Sequence, residues 1–165
     1  MNIELDTLQL TKYNKEKHKE ILDELENGIS SSKFIHQIRE RLENSNNNNS
    51  LFQSAFIILD NNTPIGYIYI SSMIRDEVFL EYSILKEFRR MGYATSVVSE
   101  LSDYLFKNHN IKSIRLDIDP SNKSSILVAN ASGYTLDEEE FESRNYIGKM
   151  QFIKESYCYV SKRRK

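Results

Sequence analysis

The hydrophobic positions of this 165-residue chain change period several times, and each change predicts a new element. Apolar residues at 3, 5, 8 and 10 predict a first strand, with clear alternation up to Leu5 and a possible slip after it. They then recur three and four apart over 14–26, and again from Ser31 or Ser32 to about Leu42, which predicts two amphipathic helices. An asparagine-rich tract over 44–50 follows and is typical of a surface loop.

Three consecutive strands are predicted next, joined by tight turns. Apolar runs cover 51–60, 65–71 and 78–85, and polar residues at 61–64 and 75–77 separate them. Connections this short make consecutive strands antiparallel neighbours.

In the second half of the chain, helices alternate with strands. A helix is predicted over 95–108, a strand over 114–118 and a second helix over about 123–131. A right-handed crossover through the first helix makes strand 114–118 parallel to strand 78–85. Two final strands are predicted near 134–136 and over 147–159.

These elements predict a single domain over residues 1–160, followed by a basic tail over 161–165. The predicted class is α/β (α+β): a mixed, mostly antiparallel sheet of about seven strands with one parallel pair, flanked by about four helices. A chain of this length suffices for one hydrophobic core and is too short for two ordinary domains.

Composition and charge narrow the classes of function. A net charge of −2 and a pI near 6.0 argue against a general binder of nucleic acid or of anionic membranes. No apolar run approaches the length of a membrane span, and the one cysteine, Cys158, provides neither an intramolecular disulfide nor a zinc cluster. We therefore expect a cytoplasmic protein with no metal cofactor and with neither nucleic acid nor membrane as partner.

The strongest chemical signal lies where strand 78–85 leads into helix 95–108. The residues between them, Arg89-Arg90-Met91-Gly92-Tyr93-Ala94, combine two arginines with small residues at the helix start. Unpaired N–H groups at a helix start favour an anion, so the loop predicts a phosphate or pyrophosphate site. The chain contains neither a Walker-type phosphate loop nor a G-x-G-x-x-G dinucleotide motif.

This hexapeptide resembles the Arg/Gln-x-x-Gly-x-Gly/Ala signature of the GCN5-related N-acetyltransferases, through Arg89, Gly92 and Ala94. A second block, 116–134, resembles the strand, Asn-x-x-Ser/Ala helix and Gly-Phe/Tyr pattern of the same family. The residues that match in this block are Asn122, Ser125, Gly133 and Tyr134. The pattern is most similar to the type that acetylates the N-termini of ribosomal proteins, and it covers the first third of the chain poorly.

The resemblance implies acetyl-CoA as co-substrate, bound without a metal. In this family two parallel strands splay apart and the pantetheine arm lies between them, pairing with the central strand, here through the backbone of Ile84 and Leu85. The pyrophosphate would lie at the N–H groups of the loop and helix start. The implied cofactor-binding residues are Ile84, Leu85, Arg89, Arg90, Met91, Gly92, Tyr93, Ala94, Thr95, Asn122 and Ser125.

The resemblance also implies that an amine attacks the thioester directly in a ternary complex, so a carboxylate or a water must collect the proton of the amine. Asp117 is the first candidate, because it stands five residues before Asn122, where the family type carries a glutamate. Its alternative role is a strand carboxylate paired with Arg115, Lys112 or a loop amide. Glu81 is the second candidate, because it interrupts an apolar strand; alternatively it simply faces a solvent-filled groove.

One position departs from the family pattern. Seven residues after Asn122, where the family type has a tyrosine as general acid for the thiolate, this chain has Ala129. Ser125 is then the candidate to hydrogen-bond the sulfur or the pantetheine, with the alternative that it only satisfies backbone amides at the helix start. We expect Tyr134 to be a core anchor and not the acid.

The leading hypothesis is an acetyl-CoA-dependent N-acetyltransferase that modifies a protein N-terminus or a small primary amine. The acidic run 137–140 would attract a cationic amine, although such runs usually mark solvated turns. The alternatives are a non-catalytic acyl-CoA-binding module and a purely structural interaction domain. Homodimers are common in such folds, and the sequence does not decide whether this chain forms one.

Overall fold

The computed structural model of the protein describes residues 1–28, 32–138 and 149–156. Within these ranges eight strands form one sheet: β1 (Asn2–Glu4), β2 (Gln9–Thr11), β3 (Ser54–Asp60), β4 (Thr63–Ile70), β5 (Glu77–Ile84), β6 (Ser113–Ile118), β7 (Thr135–Leu136) and β8 (Met150–Glu155). The α-helices of the same ranges are α1 (Lys19–Gly28), α2 (Ser32–Ser45), α3 (Tyr93–Asn108) and α4 (Lys123–Ala131), and a short 3-10 helix, Lys86–Phe88, follows β5.

The strand order is β1-β2-β3-β4-β5-β6-β8-β7, and among the described strand pairs only β5 and β6 run parallel. This confirms the predicted mixed, mostly antiparallel sheet with one parallel pair and four helices. The sheet has eight strands and not about seven because the run 3–10 folds back on itself. The N–H of Leu5 donates to the carbonyl of Leu8 at 2.9 Å, so β1 and β2 pair antiparallel.

Helix α1 begins at Lys19 and not at residue 14 as predicted. The side-chain oxygen of Asn14 accepts hydrogen bonds from the N–H groups of Glu16 and Lys17 at 3.0 and 2.9 Å. Asparagine often stabilises a turn in this way, which competes with the helix. The prediction was therefore wrong for the segment 14–18, which forms a turn.

The sheet separates two hydrophobic cores because successive strand residues point to opposite faces. One face packs against α1 and α2, with Ile57 and Tyr67 in its core. The other face packs against α3 and α4, with Ile58 and Ile68 in its core. No helix within the described residues has the length and apolar composition needed to cross a membrane.

Strands β5 and β6 are paired only at their beginnings. Their register pairs residues 77–79 with 113–115 and ends at Phe79 and Arg115. Beyond this point β5 stays paired with β4, and β6 stays paired with β8. The parallel strands therefore separate into an opening, bordered by residues 80–84 and 116–118, that we call the strand gap. This register confirms the predicted splayed pair.

Candidate active site

An open helix N-terminus lies beyond the end of β5. Gly92 precedes α3 with φ +83° and ψ 1°, a left-handed conformation that suits glycine. A Cβ atom at Gly92 would meet no atom within 4 Å, so the space before the helix is open. The N–H of Ser96 is bonded to the Gly92 carbonyl at 3.0 Å. The N–H groups of Tyr93, Ala94 and Thr95 therefore precede the first intrahelical hydrogen bond and can face an anion.

The two arginines of the loop are placed differently. The guanidinium of Arg89 donates to the carbonyl of Ile84 at 3.0 Å and to that of Gly28 at 3.2 Å, so it ties the end of β5 to the end of α1. Arg90 is exposed, with φ +63°, and makes no such contact within the described residues. Met91 is also exposed. Arg90 is therefore the arginine whose charge is available to an external anion.

The side chain of Tyr93 anchors the loop from the other side. Its hydroxyl donates to the Asp60 carboxylate at 2.5 Å, and its ring packs edge-on against Phe88. The hydrogen bond to Asp60 raises the pKa of Tyr93 above its ordinary value. The helix start is thus fixed to the β3–β4 turn.

The edge of β5 that borders the strand gap carries backbone groups of Tyr82. In an antiparallel ladder successive residues direct their N–H and C=O groups to alternate sides. The carbonyl of Phe79 and the N–H of Leu85 bond to the β4 side at 3.0 and 2.9 Å. The backbone groups of Tyr82 and the N–H of Ile84 therefore point to the gap. Of the two positions predicted to pair with pantetheine, the Ile84 N–H borders the gap and the Leu85 N–H is already bonded to Ile65.

The two candidate carboxylates lie on one face of the sheet, on opposite sides of the strand gap. Phe79 and Arg115 are paired neighbours and point to the same face. Glu81 and Asp117 each stand two residues further along and share that face. It is the face covered by α1 and α2, since Glu81 contacts α2 through Arg41.

Asp117 is exposed, and none of the described residues is hydrogen-bonded or ion-paired to its carboxylate. The partners that the sequence suggested are used elsewhere. Arg115 lies 2.7 Å from Glu77 and 2.7 Å from Asp137, and Lys112 forms an ion pair at 2.8 Å with the turn before β5. No contact of the described residues supports the alternative of a paired strand carboxylate.

Glu81 is held by two neighbours. Arg41 approaches its carboxylate at 2.5 Å, and the Tyr67 hydroxyl donates a hydrogen bond to the same carboxylate at 3.3 Å. The Arg41 guanidinium stacks on Tyr69 at 4.0 Å from the ring centre. Burial, followed by the charge of Glu81, raises the pKa of the Tyr67 phenol, which stays protonated near neutral pH. The carboxylate is therefore part of an ordered polar cluster, although 36% of the Glu81 side chain stays exposed.

Hydroxyl groups stand on the opposite face, at the start of α4. Asn122 caps this helix, because its side-chain oxygen accepts a hydrogen bond from the N–H of Ser125 at 3.2 Å. Tyr82 packs against the core of this face. Burial raises the pKa of its phenol, and the neighbouring Ser125 hydroxyl opposes this shift. Ala129, where the family type has its tyrosine, is fully buried in the same core.

Sequence reasoning missed two participants in this site. Tyr82 was treated only as one of the apolar positions of its strand, although a tyrosine among aliphatic neighbours is a usable signal. Arg41 gave no signal, because 40 residues separate it from Glu81. Tyr134 is a core anchor as predicted: it is 2% exposed, and its hydroxyl lies 2.7 Å from that of Ser102. Asp137 is ion-paired with Arg115, so the first residue of the acidic run is not a solvated turn position.

Several predictions fall outside the described residues. They concern residues 139–140 of the acidic run, residues 147–148 and 157–159 at the ends of the predicted last strand, Cys158 and the basic tail over 161–165.

Comparison with known proteins identifies the same fold. Residues 9–135 match the family model of the acetyltransferase (GNAT) domain. No curated protein shows significant sequence similarity to the chain.

Three solved structures illustrate the likeness. The RimL ribosomal-protein alpha-N-acetyltransferase in complex with coenzyme A is 12% identical, with 94% of this chain and 98% of that chain covered and a TM-score of 0.73. A SpeG spermidine N-acetyltransferase chimera from Vibrio cholerae and hSSAT is 14% identical, with 94% and 99% covered and a TM-score of 0.70. The microcin self-immunity acetyltransferase MccE, in complex with acetyl-CoA and AMP, is 15% identical, with 91% and 93% covered and a TM-score of 0.68.

Proposed function

Because the chain belongs to the acetyltransferase (GNAT) family, we propose that it transfers the acetyl group of acetyl-CoA to a primary amine by direct attack in a ternary complex. The observation that most supports this proposal is the strand gap. The pairing of β5 with β6 ends at Phe79 and Arg115, and the backbone groups that border the opening lead toward the open start of α3. A phosphate-bearing ligand with an extended amide arm matches both features.

In this proposal the pyrophosphate of acetyl-CoA binds at the N–H groups of residues 93–95, with Arg90 beside them. The pantetheine arm lies along the gap edge of β5, where the N–H groups of Tyr82 and Ile84 are directed. A backbone N–H of this edge polarises the thioester carbonyl. Gly92 keeps the approach to the helix start open.

The amine approaches on the face that carries Glu81 and Asp117. Asp117 takes the proton of the attacking amine, either directly or through a water. Its carboxylate is exposed and has no partner in the part of the chain that the structure describes, which supports this assignment over Glu81. Glu81 is held by Arg41, so we assign it to the binding of the acceptor. The amine nitrogen bonds to the carbonyl carbon as the carbon–sulfur bond breaks, and the electron pair leaves with the sulfur.

The acceptor is proposed to be a protein N-terminus or a small cationic amine. Carboxylates at Glu77, Glu81 and Asp117 line the acceptor face, with Arg115 and Arg41 ion-paired among them. Opposite charge near the gap would attract an ammonium group before it is deprotonated. The proteins of similar fold named above act on a ribosomal protein and on spermidine, which are both amine substrates.

A non-catalytic acyl-CoA-binding module is the second candidate. The observation that favours it is Ala129, which offers no proton-donating group where the family type has a tyrosine. This module would bind acetyl-CoA and consume none of it with any amine.

A thermal shift experiment with acetyl-CoA, CoA and ATP tests the cofactor assignment, since a ligand that binds the native state raises its apparent stability. We expect both CoA species to raise the Tm more than ATP does. An amine panel of spermidine and N-terminal peptides, with detection of the released thiol, then separates the two candidates. The absence of any shift with CoA species would contradict both.

A further inference from the structure

The phenol oxygen of Tyr82 is an unusual group among the described residues. It is fully buried, yet it forms no hydrogen bond of ordinary geometry with any of them. Leaving a buried hydroxyl without a partner is unfavourable, so such groups usually mark the place of a ligand or an ordered water. The residues assigned to the proposed reaction do not include Tyr82 as a side-chain donor.

The position of Tyr82 connects this hydroxyl to the strand gap. Its backbone groups point into the gap by the alternation of the β4–β5 ladder. Its side chain lies on the α3 and α4 face, beside Ser125. The residue thus borders the opening with its backbone and reaches the start of α4 with its ring. This face lies opposite the one that carries Glu81 and Asp117.

Direct attack on a thioester is assisted by two different groups, a base for the amine and a hydrogen-bond donor for the sulfur. The amine adds from one side and gives up its proton there, while the sulfur leaves and accumulates negative charge. A hydrogen-bond donor near the sulfur stabilises this charge. Ala129 provides no donor, so the donor has to come from another position. Ser125 of α4 and Tyr82 of β5 are neighbouring hydroxyls on this face, and the Tyr82 hydroxyl is the one without a hydrogen bond of ordinary geometry among the described residues.

We infer that the Tyr82 hydroxyl donates a hydrogen bond to the sulfur of the bound acyl-CoA, with Ser125 as its neighbour, and stabilises the thiolate as it leaves. This inference rests on the proposed function. It gives the role of the absent α4 tyrosine to a residue of the central strand.

The proton balance of this step is simple. The carbon–nitrogen bond forms, the carbon–sulfur bond breaks, and the proton of the amine goes to Asp117. The pKa of the Tyr82 phenol is raised by burial and so lies above that of a thiol, which is about 8.5. The phenol therefore keeps its proton and stabilises the thiolate by a hydrogen bond. The thiolate takes a proton from solvent after it leaves.

The test compares Tyr82→Phe with the parent chain, because phenylalanine keeps the ring and removes only the hydroxyl. The matched control is Tyr104→Phe, which removes a phenol from α3 beside His109, away from the gap. Affinities for CoA and for desulfo-CoA, which lacks the sulfur, are measured by calorimetry above about pH 9, where a thiol is ionised. No acceptor amine is needed.

We expect the parent and Tyr104→Phe to prefer CoA over desulfo-CoA by about tenfold or more, and Tyr82→Phe to lose this preference with an unchanged affinity for desulfo-CoA. With an amine substrate, kcat should fall by about 10- to 100-fold and KM for acetyl-CoA should change little. The ligand-free Tm should change little, since the hydroxyl forms no hydrogen bond of ordinary geometry with the described residues.

An equal preference for CoA in Tyr82→Phe and in the parent would overturn the role of Tyr82 and leave the proposed function intact. Failure of the parent to bind either ligand would overturn both. If Tyr82→Phe does not fold, the affinities of the parent chain for CoA and desulfo-CoA are measured across a range of pH instead. The preference for CoA must grow as the pH passes the pKa of the thiol. A preference that does not change with pH refutes the inference.

Discussion

The two faces of the sheet at the strand gap differ in their chemistry. The face toward α1 and α2 carries carboxylates: Asp117 has no partner among the described residues, and Glu81 is bound to Arg41. The face toward α3 and α4 carries hydroxyls, those of Tyr82 and Ser125, on an otherwise apolar core. This difference suits a reaction in which a proton is taken on one side and a sulfur leaves on the other. The gap lies between the group that would take the proton and the group that would bind the sulfur.

The largest effect is expected from a substitution that prevents CoA from binding, because both faces of the gap then lose the ligand. Gly92→Glu places a carboxylate at the open start of α3, where we propose that the pyrophosphate binds. Like charges at close range cost several kcal/mol, so CoA should bind roughly 100-fold more weakly or worse. The measurement is the CoA-dependent rise in Tm.

Gly92→Ala is the matched control for this variant. Both substitutions place a side chain at φ +83°, but only glutamate adds charge. The alanine variant should lose about 1–2 kcal/mol of stability and keep most of its CoA affinity. Equal loss of CoA binding in both variants would show that the changed loop conformation, and not the added negative charge, prevents binding.

The second prediction concerns the carboxylate face alone. Asp117→Asn keeps the shape of the side chain and removes its basicity, so kcat should fall by about 100-fold with little change in CoA affinity. Steady-state rates with a responsive amine give the result. Asp103→Asn, on the exposed surface of α3, is the control and should leave the rate unchanged. A full rate in Asp117→Asn would transfer the role of base to another group or to water.

A smaller effect is expected from the paired carboxylate. Glu81→Gln removes the charge partner of Arg41, and because this pair is partly exposed we expect a loss of about 1 kcal/mol or less in stability. KM for the amine should rise several-fold while kcat changes less than in Asp117→Asn. Arg41→Met and the double variant complete a double-mutant cycle. The cycle separates the energy of the Arg41–Glu81 ion pair from the contribution of Glu81 to amine binding. A kcat loss as large as that of Asp117→Asn would make Glu81 the base.

The smallest effect on activity is expected at Tyr134, which lies on the same face of the sheet as Tyr82. Tyr134→Phe breaks the hydrogen bond with Ser102 inside the core, at 2.7 Å, and should lower the free energy of unfolding by about 1 kcal/mol. Urea unfolding measures this loss. Because the hydroxyl is already bonded away from the gap, kcat should stay unchanged, and a marked fall in kcat would reopen the choice between Tyr82 and Tyr134.

The sequence predicted the parts of the fold in which the pattern is local. The change of hydrophobic period between β5 and α3 located the loop at Gly92, and helix α4 agrees with its predicted bounds, 123–131. Residues 3–10 were assigned to one strand, and the slip in the alternation between Leu5 and Leu8 turned out to mark the tight turn between β1 and β2. The start of α1 was missed because a side-chain hydrogen bond of Asn14 outweighed the helical pattern.

The candidate site was less predictable, because its contacts join distant parts of the chain. The pairing of Glu81 with Arg41 depends on how α2 packs on the sheet, and the sequence gives no register for that packing. The direction of backbone N–H groups along β5 depends on the ladder with β4. The resemblance to a family indicates which strand borders the ligand. Only the hydrogen bonds between β4 and β5 show that the N–H groups of Tyr82 and Ile84 point to the gap, while that of Leu85 does not.

The most direct test of the strand gap as the acyl-CoA site is amide hydrogen exchange along β5, measured by NMR with and without CoA. The Tyr82 and Ile84 amides border the gap, so they should exchange fast in the free protein and become protected when CoA binds. The Leu85 amide is already bonded to Ile65 and should be protected in both states. If CoA binds and leaves the Tyr82 and Ile84 amides unprotected, its arm does not lie in the gap, which contradicts the assignment of the strand gap as the acyl-CoA site.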